Sequence, residues 1–182
     1  MTEVDLAPNL YAAHPAEILR RFVQRLRNSL NVSYDVCFQV DDPHATPPST
    51  MPDRAYLVSY EGASLNGDVD QVPEYLVETA YINVTCFNRV SAIDESSRAN
   101  SFTTRHDVNL FEMKRRVMLA LVNWRLELPG ERDIEIASTV KATRSSKPEI
   151  LQADSGSFGA FLTLTFSVAY AIDLCDQDYN AQ

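Results

Sequence analysis

YLVETAYINVTCFNRV, residues 75–90, has a period of two, and that period decides how the chain folds. Leu76, Ala80, Ile82, Val84 and Cys86 fall on one face of a strand, and Tyr75, Val77, Thr79, Tyr81, Thr85 and Phe87 on the other. Both faces are partly apolar, so one meets helices and the other meets a second sheet or a subunit. A second long run, GAFLTLTFSVAYAIDL at 159–174, repeats the pattern. Ala160, Leu162, Leu164, Phe166, Val168, Tyr170 and Ile172 share one face. Phe161, Thr163, Thr165, Ser167, Ala169 and Ala171 share the other, which reads as a wetter surface.

Two helices flank these strands. Pro15 suits a first helical turn, and Ile18, Leu19, Phe22, Val23, Leu26 and Leu30 form an apolar stripe to about Leu30. Arg20, Arg21, Arg25 and Arg27 lie beside or opposite that stripe. The second helix begins near Asp107 or Asn109 as N-cap and runs to about Trp124. Its stripe is Leu110, Phe111, Val117, Leu121, Val122 and Trp124, its charges are Lys114, Arg115, Arg116 and Arg125, and LPGER ends it.

The remaining strands are shorter. Tyr34, Val36, Phe38 and Val40 alternate with Asp35, Cys37 and Gln39, which puts Cys37 on the polar side. DDPHATPPSTMPD, residues 41–53, holds four prolines and reads as an exposed loop. Ala55–Tyr60 is a strand, and EGASLNGDVDQVPE at 61–74 an acidic loop. SAIDESSRANSFTTRH at 91–106 is polar and without period, a partner-facing loop. Ile134–Thr143 is a further strand, and RSSKPEILQADSGSFG at 144–159 a mobile, projecting hairpin. Residues 1–13 read as a flexible arm and 175–182 as a tail.

The element order is α-β-β-β-α-β-β. Short connections favour antiparallel neighbours, so the expected fold class is α+β, a mainly antiparallel sheet with both helices on one face. A length of 182 residues suits one domain. Hydrophobic residues make up 45% and charged residues 23%, which excludes a wholly disordered chain. No apolar run reaches the ~20 residues of a membrane span. MTEVDLAPNL shows no leader pattern, so synthesis in a cytoplasm is expected.

The net charge of −9 opposes binding to nucleic-acid phosphates. Nine acids (Asp35, Asp41, Asp42, Asp53, Glu61, Asp68, Asp70, Glu74, Glu78) and one base, Arg54, lie between residues 35 and 78, a local charge of −8. Eight of the 16 basic residues fall in the two helical segments. Such a chain either presents two solvated faces or associates head to tail with its own copies.

Chemistry is sparse. His14, His44 and His106 fall in loops or helix flanks, and Cys37, Cys86 and Cys175 have no C-x-x-C spacing. Asp41, Asp42 and His44 are metal-capable residue types without a second ligand set. No nucleophile elbow, P-loop or dinucleotide fingerprint is present. Neither a cofactor nor a metal is expected, and catalysis is not.

Taken in order, HPAEILRRFVQRLRNSL, YLVETAYINVTCFNRV, NLFEMKRRVMLALVNW and GAFLTLTFSVAYAIDL resemble the tail terminator (tail completion, or minor tail) proteins of long-tailed bacteriophages. The resemblance covers residues 14–174 and rests on element order and hydrophobic pattern, with no short motif. It implies a homo-hexameric ring that caps the tail tube, stops its polymerisation and offers the neck a docking surface. It implies a place at the tail–neck junction of the virion. The implied partners are further copies, the tail tube protein, the neck or connector (stopper) protein, and genomic DNA passing through the lumen without specific binding. No membrane and no catalytic residue is implied. The longer loops at 41–53, 62–74 and 91–106 depart from the family's compact pattern. Candidate interface residues are Arg20, Arg27, Asp41, Asp42, Arg89, Ile150 and Leu151. Competing readings are a stopper or collar ring, a small enzyme without a motif, and a monomeric module binding through its proline-rich loop.

Overall fold

The two long strands lie side by side at the centre of one sheet, in register from Tyr75↔Asp173 to Val90↔Phe158. They are seen in a computed structural model, which describes residues 15–45, 50–66, 75–90, 105–126, 138–152 and 158–173. The elements are α1 (Pro15–Leu30), β1 (Cys37–Gln39), β2 (Arg54–Asn66), β3 (Tyr75–Val90) and α2 (Arg105–Leu121). After them come β4 (Arg125–Leu126), β5 (Ser138–Thr139), β6 (Lys141–Ser145), β7 (Glu149–Gln152) and β8 (Phe158–Asp173). The main sheet has the order β1-β2-β3-β8-β6, with β7 also on β8, and β4 pairs β5 separately. Every pairing is antiparallel except β1 with β2. The fold is α+β, in the expected element order.

One layer of helices covers one face. Ile18, Phe22 and Leu26 of α1, with Leu110, Val117 and Leu121 of α2, are fully buried. They pack on Ala80, Ile82, Val84 and Cys86 of β3 and on Ala160, Leu162, Leu164, Phe166 and Val168 of β8. Period 3.6 in the helices and period 2 in the strands thus converge on one apolar layer. Each helix stops at an asparagine in the left-handed region, Asn31 (φ 53) after α1 and Asn123 (φ 61) after α2. After α1 the Val32 N–H reaches back to the Arg27 carbonyl at 3.2 Å, a Schellman closure.

Several boundaries differ from the sequence reading. The first strand is only Cys37–Gln39, because Val36 and Cys37 donate back to the Ser33 carbonyl in a turn that leaves Tyr34 76% exposed. Cys37 is buried under α1, not on a polar side, while Phe38 and Val40 pack on the opposite face. A three-residue strand with an apolar layer on each side is too short for an alternation that runs on into the preceding turn to choose its inner face. β2 extends through residues read as loop, because a bulge at Glu61 absorbs the irregularity and Gly62 takes φ 139. Helix α2 starts at Arg105 and ends at Leu121. In it Met113 and Ala120 are buried, whereas Phe111 is 46% exposed.

Of the strand expected at Ile134–Thr143, residues 134–137 lie outside the described residues, and the rest turns at Val140 from β5 to β6, with the Val140 N–H on the Trp124 carbonyl at 2.8 Å. The stretch expected as a projecting hairpin pairs antiparallel, residues 149–152 with 158–161, and lies on the edge of the main sheet, while 153–157 lie outside the described residues. The arm at 1–13, the tail at 175–182 and most of 91–106 lie outside the described residues.

Candidate functional site

The face of the sheet away from the helices has two halves. At one end Met51, Ala55, Leu57, Phe87 and Phe161 form a second buried cluster, joined by Phe38 and Val40. The chain before β2 folds over this end, and the His44 ring lies 5.6 Å from the Phe161 ring. At the other end the same face is polar. The Thr85 and Thr163 hydroxyls bond each other at 2.9 Å, and the Thr165 hydroxyl donates to Asn83 Oδ1 at 2.7 Å. Thr85 and Thr165 are buried, so each hydroxyl needs such a partner.

This face is concave. Arg144 on β6 donates to Glu61 on β2, passing over β8 and β3. Three strand steps of about 4.8 Å span roughly 14 Å on a flat sheet, beyond comfortable reach of the two side chains. The sheet must therefore curl toward this face, as twisted and bulged sheets do. Arg144 divides the trough. One hollow of about 220 Å³ is lined by His44, Asn83, Ser146, Glu149 and Thr163, and the other, about 450 Å³, by Glu61, Tyr81 and Thr143.

The trough offers hydrogen bonds and little else. Asp42 Oδ1 accepts the His44 N–H at 2.8 Å in an Asx turn. Among the described residues no three His, Cys, Asp or Glu side chains gather to hold a metal. Burial pushes the Cys37 thiol up to about 11 and the Cys86 thiol up to about 12, so neither is a thiolate near neutral pH. Cys175 lies outside the described residues. Among the described helices none is long and apolar enough to cross a membrane.

The candidate interface residues scatter over the molecule. Arg20 is exposed and paired with Glu17, its Nε 2.6 Å from the carboxylate. Arg27 donates to the Cys37 carbonyl at 2.7 Å, tying α1 to β1. Asp41 and Asp42 are exposed on the segment before β2. Arg89 is half-buried, donates to the Met51 carbonyl and lies 3.6 Å from Asp53. Ile150 is 52% exposed, and Leu151 pairs with Gly159 in the ladder. Sequence reasoning missed Arg144, Glu61, Asn83 and Thr165. Their juxtaposition arises from strand order and curvature, and only the Thr-rich alternation of 161–167 hinted at it.

No protein family matches the chain, and no curated protein does. Among solved structures it is similar to a chain of a particle described as the virion of a native gene transfer agent. The identity is 10%, the TM-score 0.43, and the match covers 93% of this chain and 100% of that one. That likeness is too loose to assign a shared fold or role.

Proposed function

We propose that this chain is a structural virion protein of the tail terminator kind. It forms a ring, six copies in that family, at the tail–neck junction. The ring caps the tail tube and gives the connector its docking surface, and DNA passes through without specific binding. One observation carries this reading: the element order on which the resemblance rests folds with both helices on a single sheet face. That leaves a concave face and two sheet edges toward possible partners, on opposite sides of the molecule. A head-to-tail ring needs two different surfaces on each copy, and a curled sheet supplies them.

The trough supports a structural reading over a catalytic one. Its polar groups bond one another, and its charged pair, Arg144 with Glu61, bridges strands. The experiment is electron microscopy of particles made without this protein. Unjoined heads with tail tubes of irregular excess length are expected. Normal joined particles would overturn the reading, and tubes of correct length that fail to join would assign the chain to the stopper position.

A further inference from the structure

The main sheet ends in two unlike edges. On one side, among the described residues, β6 and β7 pair with β8 and with no strand beyond. On the other, β1 covers only Tyr56, Leu57 and Val58 of β2. Residues 60–66 of β2 therefore pair on one side alone among the described residues, with β3. Among the described residues each edge thus leaves backbone groups directed outward, which is a template for a further strand.

The edges also differ in charge. All five residues of β6 are exposed, and Lys141 and the following Lys147 make that edge basic against one carboxylate, Glu149 of β7, Arg144 being engaged with Glu61 of its own copy. The β2 edge at residues 60–66 carries exposed Glu61 and no basic residue. Lysines on an edge oppose pairing with a second copy of the same edge, and they accept an acidic one.

Strand direction agrees. β2 opposes β3, β3 opposes β8 and β8 opposes β6, so β6 runs against β2. A second copy laid with its β2 beside β6 continues the antiparallel alternation without inverting the molecule. Repeated, that operation is head to tail, the arrangement a ring requires.

We infer that β6 and β7 of one copy pair antiparallel with residues 60–66 of the next, joining the sheets of the ring edge to edge. The inference rests on the ring reading above and adds the contact that builds it. Main-chain bonds supply the attraction, and the lysine–carboxylate contrast selects the partner edge. The Arg144–Glu61 bridge spans each sheet between the two edges so joined.

The test is hydrogen exchange read by mass spectrometry on the full chain. It is run at concentrations where light scattering reports monomer and where it reports ring, with purified tail tube protein added in a parallel series. Peptides covering 141–147 and 60–66 are expected to exchange about tenfold or more slowly in the ring, while those of α1 are unchanged. A ring in which either segment exchanges as in the monomer overturns the edge pairing and leaves the ring reading standing. A chain that stays monomeric throughout overturns both. Lys141→Glu with Lys147→Glu, at exposed positions, is expected to raise the concentration at half-assembly about tenfold. An unchanged midpoint overturns the assignment of the β2 edge as partner.

Discussion

Phe22 packs edge-to-face with Trp124 and Phe166, ring centroids 5.5 and 6.3 Å apart, and none of its surface is exposed. It joins α1, the chain after α2, and β8 in one contact set. Phe22→Ala is expected to cost about 3–5 kcal/mol in chemical denaturation, since the three elements cannot all close on the space. A loss under about 1 kcal/mol would show that the helix layer repacks freely. On the far face Gly159 serves a different need. A Cβ there would stand 2.5 Å from Phe87 Cε2 and 3.0 Å from Phe161 Cε2, and both rings are buried. Gly159→Ala is expected to cost about 1–3 kcal/mol by overpacking, measured the same way. The thiols give a pH signature. Cys86 rises from 9.0 to about 12 and Cys37 to about 11 by burial. Their neutral forms stabilise the fold fully below pH 9.0, and that contribution is lost as pH rises through the folded values, because the unfolded chain ionises first. Between pH 9 and about 12 the midpoint of denaturation should fall less steeply in Cys86→Ala than in the parent chain.

At the scale of elements, the edge formed by β6 and β7 is one strand interrupted at Ser146–Pro148. The ladder survives the break because Ser146 uses both its groups. Its N–H donates to the Thr163 carbonyl at 2.8 Å, and its hydroxyl accepts the Thr163 N–H at 2.9 Å. Ser146→Ala removes that acceptor and is expected to cost about 1–2 kcal/mol, with faster exchange of the Thr163 amide. If exchange there is unchanged, water replaces the hydroxyl and the break is looser than drawn. How much of this was legible depended on the length of each signal. Residues 75–90 and the stripe from Ile18 to Leu30 repeat their period several times, so face and type could be read directly. The three-residue β1 and four-residue β7 are shorter than any period test, and Gly62 and Pro148 look like loop residues when they mark a bulge and a break. Charge was legible as composition but not as geometry. Arg27 reads as a surface cation and is a tie between α1 and β1, and the approach of Arg144 to Glu61 needs four strands in order.

For the whole molecule, curvature and charge act together. The Arg144–Glu61 pair is largely exposed, so alone it contributes only about 0–1 kcal/mol. The same holds for any single lysine on the edge of β6. Assembly multiplies such small terms, because a ring repeats each contact at every interface and closes only if all of them form. Between about 0.1 M and 1 M salt the Debye length falls from about 10 Å to about 3 Å, which screens exposed charges set across an edge. Main-chain hydrogen bonds between strands are short-ranged and are screened far less. Raising salt is therefore expected to weaken self-association without abolishing it, and to erase most of the difference between the parent chain and the Lys141→Glu, Lys147→Glu variant. Light scattering across a salt series on both proteins measures this. Salt-independent assembly of the parent would mean that charge plays no part in choosing the partner edge. The apolar groups exposed on α2, Phe111 and the 70% exposed Leu119, would then be the surface to examine, because an exposed apolar stripe strengthens its contacts as salt rises.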